Sequence, residues 1–152
     1  MEGKRRAYTV RTGRCSEPGR IYLLTTVTEG RERYFEQLRA GRLVVHELRS
    51  AHEAGLVESL AWVVMPDHLH WLVALREKSL GEVMCRMKAR SSQSINQHLG
   101  RTGRFWQKGY HDRALRKEDN LKQMARYVVA NPLRAGLVKR LGDYPLWDAV
   151  WL

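Results

Sequence analysis

The stretch Val63-Val64-Met65-Pro66-Asp67-His68-Leu69-His70-Trp71-Leu72-Val73 reads as a strand, a tight turn and a second strand. Leu60-Ala-Trp-Val-Val64 is almost wholly apolar, so Leu56–Met65 predicts a buried strand. Pro66-Asp67 supplies a preset φ and a side chain that bonds nearby backbone, and His68–Arg76 predicts the returning strand. Residues two apart on a strand project from one face with Cα atoms roughly 6.5–7 Å apart. His68 and His70 therefore share a face, while Leu69, Trp71 and Val73 pack on the other. Two imidazoles at that separation can converge on one metal ion, or they can be half-buried histidines satisfied by backbone.

Outward from this hairpin, Arg20–Thr28 is rich in β-branched and aromatic residues and predicts a strand. Tyr34 to about Ala54 carries Leu38, Leu43, Val44 and Leu48 at helical spacing, with Gly41 as its weak point. Gly81–Leu99 predicts an amphipathic helix with Val83, Met84, Met87 and Ile95 inward and Arg86, Lys88 and Arg90 outward, stopped by Gly100 and Gly103. Phe105–Arg116 predicts an extended segment broken at Gly109. A last helix is expected from about Glu118-Asp119 to Asn131, where Pro132 ends it. The tail, 133–152, closes with Trp147 and Trp151, aromatics that argue for a tail packed on the body. The order β-α-β-β-α-β-α predicts an α+β protein, a ferredoxin-like antiparallel sheet with helices on one face, forming one domain over 1–152 behind a basic segment, 1–18.

The chain has 152 residues, with 27 Lys and Arg against 16 Asp and Glu and a formal net charge of +11. An apolar share of 43% excludes a disordered basic tail. No apolar run approaches the roughly 18–20 residues of a membrane span, and Met1–Arg14 is too polar for a signal peptide. Cys15 and Cys85 form neither a disulfide framework nor a zinc knuckle, and with no export signal the expected compartment is the cytoplasm. No heptad or long exposed apolar edge is evident, so a monomer is expected. The densest basic stretch is Arg86, Lys88, Arg90, Arg101, Arg104, Lys108, Arg113 and Arg116 against Asp112 alone, interleaved with Phe105, Trp106 and Tyr110. Such a surface suits neutralised phosphates and stacked unpaired bases; the plain alternative is a solvated helix face.

A second group lies on the last helix. Gln123, Tyr127 and Asn131 are spaced i, i+4, i+8, with Arg126 adjacent and Met124 and Val128 on an apolar stripe. By pattern alone Tyr127 can equally be a core-edge residue and Asn131 a helix-end cap.

Three motifs taken together, V-V-M-P-D-H-L-H-W-L-V (63–73), F-W-Q-K-G-Y-H-D-R-A-L-R (105–116) and A-R-Y-V-V-A-N-P-L-R-A-G-L-V (125–138), resemble the REP-associated tyrosine transposases, relatives of the single-tyrosine HUH transposases of the IS200/IS605 type. The resemblance extends from about Gly19 to Trp147 and keeps motif order and spacing. It implies the HUH endonuclease fold, His68, His70 and Asn131 as metal ligands, Mg²⁺ or Mn²⁺ as cofactor and Tyr127 as nucleophile. Tyr110 is the rival tyrosine.

The implied activity is cleavage and strand transfer of single-stranded DNA at a repetitive extragenic palindromic hairpin flanked by a guide tetranucleotide, through a 5′-phosphotyrosine intermediate. A tyrosyl phosphodiester stores the energy of the cut bond, so resealing needs no ATP. A divalent ion would act as Lewis acid and template, and Arg126 or Lys122 could help activate the phenol. The expected DNA-binding residues are Arg86, Lys88, Arg90, Arg104, Trp106, Lys108, Tyr110, Arg113, Arg116 and Arg126. Two other readings stay open: a non-catalytic DNA- or RNA-hairpin-binding regulator on the same fold, and a water-using nuclease in which Tyr127 only packs. The tail is a candidate shield for the site.

Overall fold

A computed structural model describes residues 18–116 and 119–150. Cys15, most of the basic segment, Glu118 and Trp151 lie outside the described residues. The strands are β1 (Ile21–Val27), β2 (Val57–Met65), β3 (His68–Leu75), β4 (His111–Ala114) and β5 (Trp147–Ala149). The helices are α1 (Leu38–Glu53), α2 (Leu80–Leu99), α3 (Leu121–Val129) and a single turn, α4 (Asn131–Arg134). All strand pairs are antiparallel, in the order β4-β1-β3-β2-β5. The first four strands have the ferredoxin-like order, and β5 extends the sheet beyond β2.

The central hairpin forms as its residues dictate. Met65 pairs with His68 across the two-residue Pro66-Asp67 connection. That turn is held from outside: Phe35 N donates to Pro66 O, and Thr28 donates to Asp67 O through both backbone and hydroxyl. Leu69, Trp71, Val73 and Leu75 of β3 join Tyr22, Leu24, Val44, Leu48, Val83, Met84 and Met87 in the main core, so α1 and α2 cover that face. The fully buried Trp71 indole N–H donates to Ser59 Oγ at 2.8 Å, which removes the cost of an orphaned donor.

The opposite face carries α3. Ala125 and Val129 pack with Leu60, Ala61, Leu72 and Ala149, and Val128 packs with Val63 and Met65. The sheet of the expected α+β fold is thus covered on both faces: the two long helices share one, and the third helix takes the histidine face. Alternation along β3 demands this layering, because Leu72 and Ala74 point away from Trp71 and Val73 and need their own apolar cover.

Helix ends also differ from expectation in instructive ways. Ser79 and Glu82 make a capping box that starts α2. Asn120, rather than the expected acidic pair, caps α3 by accepting from Gln123 N, while Asp119 accepts from Arg116 N. Pro132 does not end a helix; it sits in the first turn of α4, where a missing N–H costs nothing. Of Phe105–Arg116, only His111–Ala114 is a strand, and Trp106 makes an isolated bridge to Thr28. The tail packs on the body through Leu146, Trp147 and Ala149, with Tyr144 Oη donating to Val64 O at 2.6 Å. A Cβ on Gly41 would overlap Leu146 Cδ1, so the expected weak point of α1 is the seat of the tail.

Candidate active site

β3 presents His68 and His70 on the α3 face with ring centroids 4.9 Å apart and planes at 81°. Each ring is held through Nδ1. His68 Nδ1 donates to Asp67 Oδ1 at 2.7 Å, and His70 Nδ1 bonds Thr25 Oγ1 at 2.8 Å from the neighbouring strand. Partners at Nδ1 fix ring orientation and leave both Nε2 atoms as the available ligand positions. Burial pulls the His70 pKa down to about 4, helped by the charges of His68 and Arg134, so this imidazole is neutral at physiological pH. Burial alone would raise the Asp67 pKa, but the hydrogen bond and charge of His68, with Arg31, hold it below the ordinary carboxylate range.

α3 is positioned over this pair by Val128, which packs on Val63 and Met65. Those two residues are the β2 partners of His70 and His68. Tyr127, beside Val128, is 59% exposed, and Arg134 Cζ lies 3.8 Å from its ring centroid. Asn131 Nδ2 donates to Val128 O at 2.7 Å, which orients the amide and leaves Oδ1 as its unused end. Among the described residues no cluster of three or more His, Cys, Asp and Glu could hold a metal ion. The imidazole nitrogens of His68 and His70, with the amide oxygen of Asn131, are donors of a kind that would suit a divalent cation, and none of them brings a carboxylate charge.

The expected DNA-binding residues divide sharply. Trp106 is a correction: it is 3% exposed, packed against Phe35 and Phe105, with Nε1 donating to Ser91 Oγ at 2.9 Å. Its indole fills the core below the Gly100–Tyr110 loop, so its ring is not open to a base. Lys88 is half-buried and clamps that loop, donating to Gln107 O at 2.8 Å and Gly109 O at 2.5 Å. Burial and the Arg104 charge bring its pKa down to about 8. Arg90 pairs with the buried Glu47, and Arg86 donates to Ser50 Oγ; both ties run to α1, across the sheet from the histidines. Tyr110 is partly packed against the main core. Arg104, Lys108, Arg113, Arg116 and Arg126 are exposed. Arg113 pairs with Leu23 and His111 with Thr25, so both lie on the histidine face of β4.

Sequence reasoning missed Thr25, Asp67, His111 and Arg134. Asp67 and Thr25 act through the histidines and are visible only once the register is known. Arg134 had a signal, its i+7 spacing from Tyr127, masked by Pro132.

The family model described as IS200-like transposase matches residues 20–131. The chain belongs to the IS200-like transposase family. Within this family it is similar to the REP-associated tyrosine transposase of Escherichia coli K12, at 28% identity over 85 residues, 56% of this chain and 50% of that protein. A Haemophilus influenzae protein provisionally named as a REP-associated tyrosine transposase is 24% identical over 143 residues, 84% of this chain and 78% of that one. The chain thus spans about half the length of the first of these relatives. A solved REP-associated tyrosine transposase bound to a REP hairpin superposes with a TM-score of 0.73 at 20% identity, covering 97% of this chain and 82% of that structure. The IS200-like transposase fold expected from the three motifs is borne out. No helix among the described residues is long and apolar enough to cross a membrane.

Proposed function

We propose that this IS200-like transposase cleaves and rejoins single-stranded DNA at a palindromic hairpin, using Tyr127 as the nucleophile. The observation that carries the reading is the common face: His68 and His70 on β3, and Tyr127 and Asn131 at the junction of α3 and α4, lie on one side of the sheet with Val128 locking the helix to the strands.

Tyr127 Oη forms a bond to the scissile phosphorus as the bond from phosphorus to the 3′ oxygen breaks. The phenol gives up a proton and the departing 3′ oxygen takes one, leaving a 5′-phosphotyrosine and a free 3′-OH. The exchange trades one phosphodiester for another, so a 3′-OH can reverse it without an energy source. High exposure suits Tyr127, because the nucleophile must reach a phosphate brought by a strand. His68 and His70 through Nε2, and Asn131 through Oδ1, would hold the divalent ion, Mg²⁺ or Mn²⁺. Bound there, it would supply Lewis-acid stabilisation of charge on the non-bridging phosphate oxygens. Asp67 and Thr25 keep the two rings aimed.

The hairpin substrate is supported by the likeness to the hairpin-bound transposase; a flanking guide tetranucleotide belongs to the proposal through the resemblance of the three motifs alone. Arg104, Lys108, Arg113, Arg116 and Arg126 are the exposed cations offered to its backbone. Among the described residues both sheet edges are short, four residues in β4 and three in β5, which supports a monomer free of edge-to-edge pairing.

A denaturing gel tests the reading. Protein, labelled flanked hairpin and Mn²⁺ or Mg²⁺ should give a covalent adduct that Tyr127→Phe abolishes while hairpin affinity stays within about twofold. Cut DNA with a free 5′-phosphate and no adduct would point to a water-using nuclease. Tight binding without cleavage would point to a regulator.

A further inference from the structure

Arg134 stacks on the ring of Tyr127. The helix axis breaks between α3 and α4 only by a single residue, Ala130, whose backbone stays near helical at φ −81° and ψ 0°. Ala130 N donates to Arg126 O, Arg134 N to Ala130 O and Ala135 N to Asn131 O, so the helical rise continues across the junction. Tyr127, Asn131 and Arg134 then follow i, i+4, i+7 and share one face. Arg126 and Lys122, at other angles around α3, do not join that face. The Arg134 guanidinium lies 3.8 Å above the Tyr127 ring, and its charge reaches His70. Among the described residues no carboxylate pairs with it.

We propose that Arg134 clamps the scissile phosphate and holds the Tyr127 ring beneath it. The inference rests on the strand-transfer reading for the phosphate's identity, but its geometry is independent of turnover. A planar guanidinium can stack by its face while its N–H groups, all on the edge, remain available for two parallel bonds to phosphate oxygens. Lysine, a point charge on a flexible stem, offers no such division of labour. A cation with no carboxylate partner among the described residues is the electrostatic setting an anion would complete, and stacking spares Arg134 the entropy of being ordered only when DNA arrives.

The test compares wild type, Arg134→Ala and Arg134→Lys, and repeats the binding arm in Tyr127→Phe with and without Arg134→Ala, where no turnover occurs. The probe is a REP-type DNA hairpin with and without a single-stranded flank spanning the cleavage point. Arg134→Ala should slow adduct formation roughly 10²–10³-fold, the usual loss for one donor to a developing anion. Arg134→Lys should recover only part of the rate. In the Tyr127→Phe background, Arg134→Ala should erase the affinity gained from the flank, about tenfold, and lower the salt slope of flanked binding by about 0.7. Bare-hairpin affinity and thermal midpoint should stay put.

Wild-type adduct rate in Arg134→Ala with unchanged flank affinity would overturn the proposal. So would a slower rate with unchanged flank affinity and salt slope, because Arg134 would then position the ring without touching phosphate. Full rescue by lysine would show that charge alone suffices and refute the stacked fork. Absence of adduct in wild type would sink the strand-transfer reading, while the flank-affinity arm would still decide Arg134.

Discussion

Trp106 separates two accounts of the basic loop by a simple mutation. If the loop is a stacking platform, Trp106→Ala should weaken single-strand binding by about 1–3 kcal/mol per lost base and leave the fold alone. The structure requires the reverse. Trp106 is 3% exposed, lies 5.6 Å from Phe35 and 5.1 Å from Phe105 by ring centroids, and bonds the buried Ser91 hydroxyl. Truncating a buried Trp costs about 3–5 kcal/mol, a large part of the 5–15 kcal/mol of a whole domain. With a urea m-value of about 2 kcal/mol per M, the midpoint should fall by roughly 2 M. Trp106→Phe should cost less, because the ring stack survives and Ser91 still donates to Met87 O at 2.6 Å. The assay is urea denaturation followed by circular dichroism, with hairpin binding measured where each variant is fully folded. An unchanged midpoint with a tenfold loss of binding would refute the packing argument and restore Trp106 as a stacking residue.

Three further predictions follow from the same geometry. Thr25→Val removes the His70 Nδ1 partner and should raise the divalent metal concentration needed for half-maximal adduct roughly 10–100-fold, with Thr25→Ser restoring it; an unchanged metal titration would detach Thr25 from the site. His70, with a pKa near 4 against 6.5 unfolded, takes up its proton later in the fold than in the unfolded chain. Its stabilisation is complete above pH 6.5 and is lost as pH falls toward 4, by about 3 kcal/mol, so urea midpoints in EDTA should fall across that window by more in wild type than in His70→Asn. Gly41→Ala, which in an open helix position gains about 1 kcal/mol, should gain nothing or destabilise here, and Leu146→Ala should relieve the clash non-additively in a double-mutant cycle; additive effects would show that the tail is not seated on α1.

Most of the sheet and the long helices were legible in the sequence because local pattern and tertiary role agree. The alternation of His68 and His70 with Leu69 and Trp71, the Pro66-Asp67 turn, and the stripe Val83, Met84, Met87 and Ile95 each report burial directly. The face taken by α3 was not legible, since a helix after an edge strand can return over either side. What decides it is the apolar demand of Leu72, Ala61 and Val63, which local sequence does not express. Trp106 misled because its neighbours are basic, whereas its own environment is set by Phe35 and Ser91, far away in the chain. β5 has three residues, Trp147-Asp148-Ala149, too few for a strand signal, and pairs only because β2 offers an open edge. Of the site, His68, His70, Asn131 and Tyr127 were readable as motifs, while Arg134 needed the knowledge that Pro132 starts a turn rather than stopping one.

The most direct test of the central claim is the mass of the peptide that carries the DNA. Trypsin should release Tyr127–Arg134 as one peptide and Gly109–Arg113, which contains Tyr110, as another. After adduct formation and nuclease trimming, the account predicts residual nucleotide mass on the Tyr127–Arg134 peptide, fragmenting to the tyrosine. Nucleotide mass on Gly109–Arg113, or on no peptide despite complete cleavage, would contradict it.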